Sequence, residues 1–177
     1  AALLSLNGAT LGNGTGVATN YTLTNPNSTV TINRAAISIT ASDAVKVYDT
    51  STDVTGATTA PTATLYSGTL YTNSATGYTD TLSGGSFTYA NPNASSGNKV
   101  LNVSGVSILN DSSSAANNYT ITYVANTTST ITAAPVTISG LSASNKVYDT
   151  NRVAALSGTA TAAGVLSGDT VTVSGTA

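Results

Sequence analysis

The chain has 177 residues, a net charge of −2 and 40% apolar content, and only 7% of it is charged. It has no Cys, His, Met, Trp, Glu or Gln, and Ser and Thr together make up about a third of it. This excludes a disulfide scaffold and a thiolate zinc site, leaves no clustered basic surface for nucleic acid, and includes no apolar run as long as the roughly 18 residues of a membrane span.

Low hydrophobicity with high net charge would mean disorder, but here apolar residues are frequent and regularly spaced. Taken in chain order, Ala1-Ala2-Leu3-Leu4 lacks the basic start and the length of a signal peptide, so the chain reads as an internal piece of a larger one. Period-two alternation rich in β-branched residues then predicts strands near 37–40, 44–48, 62–70, 86–89, 99–103, 106–109, 119–124 and 129–132. Val45 and Val47 alternate with Lys46 and Tyr48, and Leu101 and Val103 with Asn102 and Ser104. Turn residues separate these runs at Ser83-Gly84-Gly85, Asn91-Pro92-Asn93, Ser95-Ser96-Gly97-Asn98 and from Asp111 to Ser114. No stretch carries a helical period with helix-forming residues, so the expected class is all-β.

An internal repeat is the strongest signal. Lys46-Val47-Tyr48-Asp49-Thr50 recurs 100 residues later as Lys146-Val147-Tyr148-Asp149-Thr150. Asn20-Tyr21-Thr22-Leu23-Thr24 recurs after 98 residues as Asn118-Tyr119-Thr120-Ile121-Thr122. Leu4-Ser5-Leu6-Asn7-Gly8 matches Leu101-Asn102-Val103-Ser104-Gly105 after 97, and Thr31-Ile32 with Ala35-Ala36-Ile37 matches Thr130-Ile131 with Ala134-Pro135-Val136 after 99. The unit is about a hundred residues, longer than solenoid repeats and the size of a self-contained β-sandwich. Residues 1–36 then form the C-terminal part of one repeat, 37–135 a complete repeat and 136–177 the N-terminal part of the next. The junctions, Asn33-Arg34-Ala35-Ala36 and Thr132-Ala133-Ala134-Pro135, hold no Gly/Ser tether, and Pro135 favours extended geometry. A semi-rigid rod is expected.

The Lys-Val-Tyr-Asp-Thr opening, the Ser167-Gly168-Asp169-Thr170-Val171-Thr172 stretch and the Asn-Tyr-Thr-Leu/Ile-Thr block resemble the YDG-type repeat of large bacterial exoproteins, including filamentous-haemagglutinin-like adhesins of two-partner secretion systems. Thr50 and Thr150 stand where that family often has Gly, and Asp80 and Asp169 are only 89 apart. The resemblance implies a secreted stalk or spacer on a bacterial cell surface or in an extracellular biofilm matrix, and implies no catalytic residue.

Sharper chemistry has little support. Without His, a Ser or Thr nucleophile has only Lys or Asp as base, and Asp49, Asp80, Asp149 and Asp169 sit at turns, where Asp bonds its own backbone. Asp43, Asp49 and Asp53 would suit Ca²⁺ by ligand type, but their counterparts are Ala143, Asp149 and Val153. Tyr48, Tyr148, Tyr21 and Tyr119 read as packing residues. Tyr66, Tyr71, Tyr78, Tyr89 and Tyr123 could build a sugar platform. A Lys–Asn isopeptide could use Lys46 or Lys146 but lacks the usual Glu. Eight Asn-x-Ser/Thr sequons barely exceed chance in so Asn- and Thr-rich a chain.

The expectation is therefore tandem Ig-like antiparallel β-sandwich modules forming a fibre, with no enzyme activity, cofactor, catalytic residue or metal site. Expected partners are neighbouring copies or adjacent repeats of the same protein, which complete the partial units head-to-tail. The alternative is a carbohydrate- or receptor-binding adhesive module whose partner is a cell-surface glycan.

Overall fold

The computed structural model describes residues 2–4, 10–22, 28–110 and 113–174. Its strands are β1 (Ala2–Leu4), β2 (Ser28–Val30), β3 (Ala35–Ala41), β4 (Val45–Val47), β5 (Ala63–Ser67), β6 (Thr81–Ser83), β7 (Ser86–Tyr89), β8 (Ser95–Ser104), β9 (Ser107–Asn110), β10 (Ser113–Ser114), β11 (Tyr119–Tyr123), β12 (Asn126–Thr132), β13 (Thr137–Ala143) and β14 (Leu156–Ala163). Two single 3₁₀ turns, Ala18–Asn20 and Ala116–Asn118, are the only helical residues among those described. The chain is all-β.

β3 lies between β5, antiparallel, and β11, parallel. A second sheet runs β4-β12-β8-β7, with β4 parallel to β12 and the other pairs antiparallel. β6, β9 and β10 form a small antiparallel sheet. β1–β2 and β13–β14 are separate antiparallel hairpins.

The core follows from period two. Ile37, Ile39 and Ala41 project from one side of β3 and are buried with Leu101 and Val103 of β8, Ile131 of β12, Ile108 of β9 and Tyr119 of β11. Each large aliphatic side chain so buried contributes about 1.5–3 kcal/mol. Outward positions are largely Ser, Thr and Asn, which keep the strand geometry without adding apolar surface.

The expected antiparallel pairing holds only in part, since β3–β11 and β4–β12 are parallel; four further differences from the sequence reading have local causes. β6 forms at Thr81–Ser83, just before the expected turn at Ser83-Gly84-Gly85, because it pairs with β9. β8 starts at Ser95, so the segment read as a turn is strand, and bulges against β12 accommodate Gly97 at φ +69°. β5 ends at Ser67 because Gly68 sits at φ +90° with its missing Cβ aimed 2.7 Å from the Ala36 carbonyl oxygen. In β4 the faces are reversed: Lys46 is 1% exposed, and Val47 is on the open side.

The repeat relation recurs in three dimensions. Ala2 pairs with Val30, and their counterparts 97 and 99 residues on, Lys99 and Ser129, also pair. The 3₁₀ turn before Tyr21 has its equal before Tyr119: both end in an extended residue (φ −126° and −122°) whose N–H bonds the first carbonyl of the turn. Gly164, at φ +96°, faces the Pro135 carbonyl as Gly68 faces that of Ala36.

Candidate functional site

The recurring pentapeptide builds a turn around an ammonium group. β4 carries Lys46 inward, over the ring of Tyr89 at 5.8 Å. Its Nζ shares three N–H donors among Asp49 Oδ1 (2.6 Å), the Ser51 carbonyl (3.0 Å), Ser51 Oγ (3.0 Å) and the Asp53 carbonyl (2.9 Å). A buried ammonium without partners would be very costly, and this cradle removes that cost. Asp49 Oδ1 also accepts from the Ser51 N–H at 3.0 Å, and Asp53 Oδ1 from the Thr55 N–H at 2.8 Å. The bond from Lys46 is the main cause that holds the Asp49 carboxyl below its ordinary range.

The second copy repeats this chemistry in a more open setting. Lys146 Nζ meets Asp149 Oδ1 at 2.6 Å, Asn151 Oδ1 at 3.1 Å and the Val153 carbonyl at 2.9 Å. In both copies the Thr after Asp has a left-handed backbone, φ +69° at Thr50 and +68° at Thr150, and these are the only non-Gly residues described with positive φ. Glycine suits that conformation, and a β-branched residue is strained in it.

Of the acids weighed as calcium ligands, Asp49 and the Asp53 backbone converge on Lys46. Asp43 is turned elsewhere, accepting from Thr128 Oγ1 (2.5 Å) and Asn126 Nδ2 (2.8 Å), which lower its pKa in that order. The cation at the centre of this cluster is the protein's own. Nor does an amide stand against Lys46, since the counterpart of Asn151 is Ser51.

A second constellation joins Tyr119, Asp80 and Asn110. The buried Asp80 carboxylate accepts from Tyr119 OH (2.5 Å) and Asn110 Nδ2 (2.6 Å), and the Tyr119 hydroxyl takes the Tyr71 N–H at 3.1 Å. Burial, followed by the bond to Asp80, raises the Tyr119 pKa. Of the five tyrosines weighed as a sugar platform, Tyr89 is buried, with its hydroxyl bonding the Thr130 carbonyl at 3.2 Å, and Tyr123 OH accepts from the Val106 N–H at 3.0 Å. Tyr66, Tyr71, Tyr78 and the ring of Tyr123 are exposed. Tyr71 stacks on Tyr119 with ring centres 6.3 Å apart.

The third constellation crosses from 37–135 into 136–177. Tyr48 OH donates to Asp169 Oδ2 at 2.8 Å, and this bond is the chief cause that raises the Tyr48 pKa. Beside it lies a cavity of about 260 Å³ lined by Ala134, Val136, Leu166, Asp169 and Val171, among others. A YDG domain is detected at residues 132–177. No curated protein and no solved structure matches the chain significantly.

Sequence reasoning singled out Lys46, Asp49 and both threonines as repeated residues, without the arrangement that joins them. It passed over the bonds of Asp80 and Asp169 to tyrosines. The recurrence of Asp-Thr before an apolar residue at Asp80 and Asp169, with Tyr in the other repeated block, was the available signal.

Proposed function

We propose that the chain is a structural segment of a secreted bacterial exoprotein of the filamentous-haemagglutinin-like kind. In this reading its Ig-like sandwich modules of about a hundred residues stand in tandem as a stalk at the cell surface or in an extracellular matrix. The observation that carries the reading is the lysine-anchored turn, built twice at a spacing of 100 residues with the same strained threonine. A turn whose polar groups are spent on one another is suited to holding a module together rather than to binding a ligand. The detected YDG domain covers the second copy of this turn.

Two features favour a stiff array. Only four residues connect β2 to β3 and β12 to β13, and Tyr48 of one unit bonds Asp169 of the next. The alternative, an adhesive module, draws on Tyr66, Tyr71 and Tyr78. A glycan array probed with the chain separates the two: the stalk reading expects no specific binding, and saturable binding lost on Tyr71→Ala would replace it with the adhesive one.

A further inference from the structure

The turn at Lys146 differs from the turn at Lys46 by one chemical group. Around both ammonium groups stand a carboxylate oxygen, of Asp49 or Asp149, at 2.6 Å, and a backbone carbonyl, of Asp53 or Val153, at 2.9 Å. At the remaining side-chain position the first copy has the Ser51 hydroxyl, and the second has the Asn151 amide, whose Oδ1 lies 3.1 Å from Lys146 Nζ. A hydroxyl offers an amine nothing to attack. A carboxamide is an acyl group, and a lysine held against it with a carboxylate on the same nitrogen has the parts for acyl transfer.

Each part is placed by the turn. Left-handed Thr150, at φ +68°, reverses the chain so that the Asn151 amide comes back to Lys146. The Val153 N–H donates to Asn151 Oδ1 at 2.6 Å, where negative charge gathers when the amide carbon is attacked. The Asn151 N–H donates to Asp149 Oδ1 at 3.1 Å and fixes that carboxylate beside Nζ. Nζ is no more than about 4.3 Å from Asn151 Cγ, since the C=O bond adds about 1.2 Å to the 3.1 Å contact. A modest side-chain rotation reaches the roughly 3–3.5 Å of an attack geometry.

We propose that Lys146 and Asn151 form an intramolecular isopeptide bond, with Asp149 as the proton carrier. Asp149 takes one proton from the ammonium, and the freed Nζ lone pair attacks Cγ. The oxyanion of the tetrahedral intermediate forms at Oδ1, on the Val153 N–H. Asp149 then passes its proton to Nδ2, the Cγ–Nδ2 bond breaks, and the Cγ–Nζ amide remains. The two protons that Nζ gives up leave with the amide nitrogen as ammonium, so atoms and charge balance and Asp149 is regenerated. Asp149 thus takes the part for which the sequence holds no Glu. One turnover per chain completes the bond, so a slow step suffices.

Two other lysines of the chain are built-in controls. Lys46 has the carboxylate and a hydroxyl in place of the amide. Lys99 has an amide, Asn91 Oδ1 at 2.5 Å, with no carboxylate bonded to either residue among those described. Neither site has all three groups.

Intact-mass spectrometry of the full chain tests the bond. The expected mass is about 17 Da, one ammonia, below the sequence value. Trypsin should fail to cut after Lys146, and the deficit should lie in the peptide spanning residues 100–152. Lys146→Arg and Asn151→Ser should each restore the sequence mass. Ser stands at the matching position of the first turn, so Asn151→Ser keeps a turn that this chain already builds. Asp149→Ala should restore it too, because loss of the proton carrier slows the step about a hundredfold or more. The ring closes within one turn and restrains little of the unfolded chain, so mass rather than the unfolding midpoint is the readout. An unshifted mass, a gain of about 1 Da from deamidation, or a loss of about 18 Da from condensation with Asp149 would overturn the proposal. So would a deficit that survives Asn151→Ser or maps to Lys46 or Lys99. None of these failures touches the stalk reading, which the glycan array and the shape of tandem arrays test separately.

Discussion

Thr50 and Thr150 hold a conformation that costs an L-residue about 1–2 kcal/mol relative to right-handed geometry. Glycine removes that strain and gives back roughly 0.5–1 kcal/mol through its larger unfolded-state entropy. Thr50→Gly should therefore stabilise the protein by somewhat under about 1 kcal/mol, read from the urea midpoint at unchanged slope; a lower midpoint would show that the Thr side chain compensates the strain. Lys46 gives a larger effect. Lys46→Met removes a charge that satisfies two side chains and two carbonyls. Because Asp49 is 42% exposed and regains water, the expected loss is about 2–3 kcal/mol rather than the full cost of breaking a buried pair. Lys146→Met, in a more exposed pair, should shift the same midpoint far less. The pH profile follows from the same groups. Asp43 and Asp49 have lowered pKa values in the fold, so their stabilisation is present above the unfolded carboxylate value of about 4 and lost as pH falls below it. Tyr89 and Tyr119 are raised by burial, so their contribution holds below about pH 10 and is lost as pH rises beyond it. Melting temperature against pH should be a plateau between those limits, and a step between about pH 5 and 8 would contradict it.

At the level of elements, β12 and its counterpart β2 with Thr31-Ile32 make a controlled comparison. Ile131 is enclosed between two sheets and Ile32 is open. Ile131→Ala should cost about 2–5 kcal/mol, while Ile32→Ala should leave the thermal midpoint of the dilute chain nearly unchanged; equal losses would mean that the two strands do not differ in packing. These elements also show how far the sequence could be read. β3 and β8 were legible because Ile37, Ile39, Leu101 and Val103 alternate with polar residues and face a core. β4 was legible as a strand but not in its facing: the same alternation puts Lys46 inside, and only the cradle of Asp49, Ser51 and Asp53, closed by the turn, makes that face the better one to bury. β6 was missed because three residues carry too little period, and its partner β9 lies 26 residues away in the chain. The repeated Lys-Val-Tyr-Asp-Thr announced a shared structure, but not that its Asp serves a lysine. Asp80 and Tyr119 are 39 residues apart, a separation that local pattern does not register.

For the whole molecule, the proposed stalk requires units joined stiffly enough to act as a spacer. The short β12–β13 connection limits the angles available, and the Tyr48–Asp169 bond and the apolar contacts around it select among them. A flexible tether would let the end-to-end distance grow as the square root of length, and a rod lets it grow in proportion. Small-angle X-ray scattering on arrays of two, three and four copies of residues 37–135 measures this directly. The predicted result is a maximum dimension that rises linearly with the number of units. Square-root growth would contradict the stiff array.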